Sequence, residues 1–164
     1  MRRVITGVDE QGRSTVLSDG PAPVAFHARS MSDASTIDGT SAPSPVRARE
    51  AVVFELWNLN AQPEMLQSDP TVGIVAPDYD TPSAHTKWIL THMGPGLEVP
   101  MHSTPTVDYA VVLSGEVELG LETGPVLLRG GDTMLVNGVK HSWKAGPEGC
   151  AIATVLVGLR AEQR

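Results

Sequence analysis

From Ala51 onward the chain repeats one pattern: a short apolar run, then a turn. The runs are AVVFELWNL, TKWILTHM, VDYAVVLSG, EVELGLETG, VLLRGG, DTMLVNG, KHSWKAG and CAIATVLVGL. Glycine closes most of them. Short strands at such spacing predict an all-β sandwich or barrel. No segment carries a 3.6-residue period with caps, so at most one short helix is expected, near Glu64 or at the C-terminus. Ahead of Ala51, RRVITGV and TVLSDGP read as two strands around a turn at Asp9, Gly12 and Ser14. Residues 30–49 are rich in Ser, Thr, Asp and Pro and read as a linker or an arm laid over a surface. The division expected is a strand-bearing arm and linker over residues 1–50, then a barrel over residues 51–164, with its strands ending near Val157.

Composition narrows the classes. A chain of 164 residues buries roughly 70% of its unfolded surface without needing staples. Hydrophobic residues make up 41% and aromatics only 4%, so the core is aliphatic. The formal charge is −7 with no basic run, which offers no electrostatic footprint for nucleic acid or an anionic membrane. Cys150 is the only cysteine, which excludes an internal disulfide. No apolar run reaches the roughly 18 residues of a membrane span, and MRRVITGVDEQ lacks the apolar stretch of a signal peptide. A cytoplasmic location is the expectation.

The chemistry concentrates in GLEVPMHSTPTVDYAVVLSG, residues 96–115. Residues an even number apart share a face of a strand. His102, Thr104, Asp108, Ala110 and Val112 therefore point one way, and the small apolar pair suggests inward. A buried His and Asp need a hydrogen-bond network, a salt bridge or a metal. His141 and Trp143 share a face in KHSWKAG, and a hairpin-rich fold can bring His141 beside His102 and Asp108.

These residues resemble the two motifs of the cupin superfamily of small β-barrels. Gly96, His102, Thr104, Asp108 and Gly115 stand at the spacings of the first motif; Gly130, Val136, Gly138, His141 and Ala145 stand at those of the second. The resemblance covers residues 86–157. It implies a single antiparallel jelly-roll barrel and a divalent metal (Fe, Zn, Mn or Ni) on His102, Asp108 and His141. Thr104 replaces the second histidine of the first motif, Asp108 replaces the usual Glu, and Val136 and Ala145 replace a Pro and an Asn. Two histidines and a carboxylate form the facial set of non-haem Fe(II) sites and also suit zinc with an open position. The competing reading is a residual barrel in which the three only hydrogen-bond one another.

Around this centre, Trp88 and His92 share one parity of TKWILTHM; the resemblance implies that this strand partly lines the pocket and makes them candidates for it, His92 as an acid or base, against the reading of His92 as a surface or internally satisfied residue. Thr104 is the candidate to hydrogen-bond a metal-bound water or to orient Asp108. Met134 and Val136 are expected to line the barrel opposite the ligands, and Trp143 to form a pocket wall. Tyr109 and Lys140 should face outward, Trp57 should pack core or arm, Tyr79 sits in a loop near the mouth, and Cys150 reads as a small buried apolar residue. The leading function is a metal-dependent enzyme acting without redox chemistry on a small apolar or aromatic carbonyl or carboxylate compound, by dehydration, decarboxylation, isomerisation or cyclisation. The alternatives are an Fe(II) dioxygenase, for which Arg129 is a poor anchor of a 2-oxo acid, and a non-catalytic ligand-binding barrel. A homodimer joined by exchange of N-terminal strands is also implied by the resemblance.

Overall fold

In the computed structural model, residues 3–8, 10–11, 13–28, 34–59, 67–72, 74 and 81–159 are described. Strands β1 (Arg3–Val8) and β2 (Ser14–Gly20) form a two-stranded sheet of their own. The remaining strands are β3 (Val24–Ala28), β4 (Ala34–Asp38), β5 (Ala51–Leu59), β6 (Thr86–Met93), β7 (Glu98–His102), β8 (Thr106–Leu121), β9 (Gly124–Arg129), β10 (Thr133–Asn137) and β11 (His141–Gly158). All pair antiparallel in one sheet, ordered β10-β8-β11-β6-β5-β3-β4, with β7 on β11 and β9 on β8. A 3-10 turn, Gly39–Ser41, follows β4. No helix among the described residues is long and apolar enough to cross a membrane.

The two long strands make the barrel. One half of β8 pairs β10 and the far half of β11; its other half pairs β9 and the near half of β11, which also carries β7. The sheet folds over at the changeover. There Gly115 has φ 72° and Gly149 φ 76°, values that cost an L side chain dearly. A β-carbon on Gly115 would lie 2.1 Å from the Gly149 carbonyl oxygen. The register of β8 against β11 slips at the same corner, between Ala145 and Cys150. Val112, Val117, Ile152, Leu97 and Cys150 fill the space beneath it.

Two expectations change. The segment read as a linker contains β4, and β3 ahead of it joins the barrel sheet through β5, with Ala28 opposite Ala51. Gly115 does not end a strand, and VDYAVVLSG and EVELGLETG are one ladder, as are KHSWKAG and CAIATVLVGL. Tyr79, the possible helix near Glu64 and the C-terminal tail beyond Leu159 lie outside the described residues.

Candidate active site in the barrel

A cavity of about 500 Å³ lies between the two halves of the folded sheet. Its walls are mostly apolar, with Val53 on β5, Ile89 and Met93 on β6, Ala110 on β8, and Ile152 and Leu156 on β11. The polar groups gather where β7 and the start of β11 close over β8. His102, Thr104, Asp108, His141 and Trp143 all line this end.

Strand pairing creates the histidine pair. His141 at the start of β11 is the direct cross-strand partner of His102 at the end of β7. Side chains so placed are neighbours, and the ring centroids stand 4.4 Å apart, tilted by 54°. Each ring donates its Nδ1–H to a backbone carbonyl two residues earlier, His102 to Pro100 at 2.8 Å and His141 to Val139 at 2.9 Å. A carbonyl only accepts, so both Nδ1 atoms carry a proton, and Nε2 is the nitrogen left to present a lone pair to a ligand. Fixing the distal nitrogen on a carbonyl is how metal-binding imidazoles are oriented. Trp143 meets His141 edge to face at 5.3 Å.

Asp108 belongs to a short chain of hydroxyls. Thr106 Oγ1 donates to Asp108 Oδ1 at 2.5 Å and lies 2.8 Å from Thr104 Oγ1. Because the Thr106 proton is committed to the carboxylate, Thr104 is the donor in the second bond. The direction runs Thr104 to Thr106 to Asp108. Burial pushes the Asp108 carboxyl above the ordinary range; the Thr106 hydrogen bond and the two imidazoles oppose that rise. Burial also pushes His141 below the ordinary imidazole value, although the Val139 carbonyl and Asp108 pull the other way and His102 adds to the fall. Both shifts favour neutral groups in this corner.

The donors fit a divalent cation in kind: two imidazoles anchored through Nδ1, which leaves Nε2 for a ligand, and a carboxyl on one cavity wall. They are not drawn together as a closed set. Among the described residues, no group of three His, Cys, Asp or Glu stands close enough to hold a metal ion. The histidine pair is assembled, while Asp108 is turned toward Thr106.

The β6 candidates are corrected. Ile89, Thr91 and Met93 line the cavity, so Trp88 and His92, of opposite parity, lie on the outer face. Trp88 is 45% exposed, and His92 packs edge-on against Phe54 at 5.8 Å. TKWILTHM offers apolar residues at both parities, so its periodicity does not choose an inward side. Met134 packs against the core beside the cavity without lining it, while Val136 on the same strand does line it. Tyr109 is exposed as expected and Cys150 is buried, its thiol pushed up to about 11 by burial. Lys140 is solvated and pairs with Glu122 at 3.2 Å.

Thr106 was missed, although it shares the parity of Asp108 and is fully buried. Thr91 and Thr154 on the cavity wall were missed too. Lys87 and Glu55 are also buried on the inward side, continuing the parities of Ile89 and Val53. The even spacing 87, 89, 91, 93 is the signal that would have found Lys87 and Thr91.

No family model matches the chain. A cupin-domain-containing oxidoreductase of Aspergillus ruber is 25% identical over 146 residues, 86% of this chain and 62% of that protein. A phomopsin biosynthesis cluster protein of Diaporthe leptostromiformis is 43% identical over 51 residues, 30% of this chain and 27% of the relative. The matches thus span less than two thirds of these curated relatives. Among solved structures, a cupin superfamily protein from Desulfitobacterium hafniense superposes with a TM-score of 0.47 at 13% identity, over 73% of this chain and 93% of the other. The fold and site define a small antiparallel barrel with a histidine pair on its inner wall. The order of the two glycine-bracketed motifs, the strand order around them and the cupin-domain relative aligned over 86% of this chain support the cupin superfamily.

Proposed function

We propose that this protein is a metal-dependent enzyme that moves protons on a small apolar or aromatic molecule bearing a carbonyl or carboxylate oxygen. The observation that carries the reading is the pair of Nδ1-anchored imidazoles beside a carboxyl of raised pKa, at one end of an otherwise apolar cavity. His102 and His141 would hold a divalent cation (Fe, Zn, Mn or Ni), and Asp108, released from Thr106, would complete the set. Such a cation polarises a substrate oxygen when bound. The chain's own groups do the rest. Trp143, Ile89 and Leu156 bind the apolar body and exclude water. Thr104 donates to Thr106 and keeps its oxygen lone pairs for a polar group of the ligand. The rigid carbonyl anchors hold both rings in one tautomer. This machinery suits dehydration, decarboxylation, isomerisation or ring closure.

A second reading, oxidoreduction, is favoured by the name of the Aspergillus ruber relative, which aligns with 86% of this chain. One experiment separates the two. Freshly purified protein is analysed for metals, then incubated with a panel of aromatic and aliphatic carbonyl and carboxylate compounds, with and without oxygen. Anaerobic turnover with bound metal supports the proton-transfer reading. Iron with stoichiometric oxygen uptake supports the second. A metal-free protein that still binds a compound after His102→Ala overturns both and leaves a binding barrel.

A further inference from the structure

A line of polar groups crosses the apolar wall of the cavity. On the half of the sheet formed by β6, the far part of β11 and the first part of β8, the register sets Thr91 opposite Ile152 and Ile89 opposite Thr154. It sets Thr154 opposite Ala110 and Leu156 opposite Asp108. Thr91, Thr154 and Asp108 therefore lie on one diagonal over three neighbouring strands, and all three line the cavity. The positions between them, Ile89, Ile152, Ala110 and Leu156, are apolar. Diagonal neighbours on one face of an antiparallel pair stand about 7–8 Å apart. His102, His141 and Trp143 belong to the other half of the folded sheet, on β7 and the start of β11. The two threonines thus face the histidine pair across the cavity. Thr104 and Thr106 spend their hydroxyls on each other and on Asp108. Among the described residues, Thr91 and Thr154 make no hydrogen bond through their side chains. A hydroxyl held in an apolar wall without a partner costs about 1–3 kcal/mol. Valine would fill the same space, and form strand as well, without that cost.

We infer that Thr91 and Thr154 form a second binding subsite, which takes a neutral oxygen function of the ligand on the side away from the histidine pair. The inference rests on the reading of the barrel as an enzyme for small oxygen-bearing molecules, and it narrows their class. The ligand is a ring compound with oxygen groups on opposite sides: one at the histidine end, and a hydroxyl or keto oxygen at the threonine wall. The diagonal sets the length. Thr154 stands one step from Asp108, the span of one substituted ring. Thr91 stands one step beyond, so an oxygen between the two threonines is within hydrogen-bonding reach of both. A hydroxyl both donates and accepts, so this wall satisfies an alcohol, a phenol or a ketone alike. Charge excludes a second carboxylate: among the described residues, no Lys or Arg lines the cavity. A volume of about 500 Å³ holds one such ring with its substituents.

The test is calorimetric binding of two probes, benzoate and 4-hydroxybenzoate, to the full chain, as purified and with zinc added. Wild type is compared with Thr154→Val, with the double variant Thr91→Val/Thr154→Val, with Thr154→Ser, and with Thr133→Val. The last makes the same chemical change at an exposed threonine of β10, outside the cavity. Wild type is expected to bind 4-hydroxybenzoate about tenfold more tightly than benzoate, the worth of one or two net hydrogen bonds. The double variant is expected to lose that preference to within about twofold and to keep its affinity for benzoate. Thr154→Ser, which keeps a hydroxyl, and Thr133→Val should retain the preference. Circular dichroism checks that each variant keeps its strands, and Thr154→Val alone carries the test if the double variant does not fold. Wild type without a preference for the hydroxylated probe overturns the inference, as does failure to bind either probe. A preference that survives in the double variant overturns it too. Zinc binding is followed in the same titrations: its absence, with the preference intact, would remove the metal from the functional reading and leave the threonine subsite standing.

Discussion

Asp108 and Tyr109 are adjacent in β8 and live in different chemical worlds. The inner face of this sheet carries a carboxyl whose pKa burial raises, two imidazoles locked on carbonyls, and an apolar cavity. The outer face around Tyr109, one residue out of phase, carries exposed apolar and aromatic side chains such as Tyr109 and Leu135, with Val155 and Val111 beside them. Both faces are apolar in the main, so hydrophobicity does not separate site from surface here. What separates them is the small set of polar groups on the inner face whose hydrogen bonds are fixed by local backbone. The inner face is built for orientation.

The largest expected effect breaks the inner face outright. His141→Ala removes one of the two anchored imidazoles, and the affinity for Zn or Mn, measured by calorimetry on apo-protein, is expected to fall at least about 100-fold. Metal content of the variant equal to wild type would remove the histidine pair from the site. Next comes a contrast between two tryptophans. Trp143→Ala strips the cavity wall beside His141, so binding of a small aromatic carboxylate, followed by fluorescence or calorimetry, is expected to weaken about tenfold or more. Trp88→Ala on the outer face is expected to leave that binding unchanged within about twofold. Equal losses would mean that the two faces are not functionally distinct.

That contrast also measures what was legible beforehand. The bounds of β5 and β6 coincide with the runs AVVFELWNL and TKWILTHM, because turn residues bracket both. The inward set His102, Thr104, Asp108 and Ala110 was legible from parity, since Ala110 and Val112 mark the buried side. In β6 the candidates Trp88 and His92 came from the resemblance, and they lie on the side away from the cavity. Trp88 and His92 are larger and chemically richer than Ile89 and Thr91, but the outer face is itself half covered, so apolar character marks both sides of that strand. The pairing of His141 with His102 needs a register between positions 39 apart in the numbering, and no local pattern encodes it. Gly115 was read as a terminus because glycine usually ends a strand; here it lets a continuous ladder turn the corner. β4 was hidden by its composition, ASTID, which is polar enough to pass for linker and forms a strand only because β3 offers an edge.

The hydroxyl chain gives a smaller effect on the inner face. Thr106→Val keeps the shape and removes the bond to Asp108 Oδ1. A buried carboxyl left short of a donor costs about 1–2 kcal/mol, measurable by urea denaturation at neutral pH. That hydrogen bond lowers the Asp108 pKa against the effect of burial, so its loss is expected to move the carboxyl still higher in an NMR titration. A fall instead would mean that the carboxyl had found a better partner, as it would on reaching the histidine pair.

The smallest effect belongs to the outer face. His92 sits outside the cavity against Phe54, and burial lowers its pKa below the ordinary 6.5. A depressed folded pKa means that the unfolded chain binds the proton first. The contribution to stability is thus complete above pH 6.5 and is lost as pH falls through the lower, folded value. His92→Phe removes this titration and keeps an aromatic ring against Phe54. Wild type and variant are expected to respond differently to acid: between pH 7.5 and 5 the melting temperature of the variant should fall less, by about 1–2 °C. The outer position of His92 predicts that this change leaves metal and ligand affinity untouched. A change in either would place the ring in communication with the cavity, and the separation between the two faces of the sheet would fail at the strand where the parity was hardest to read.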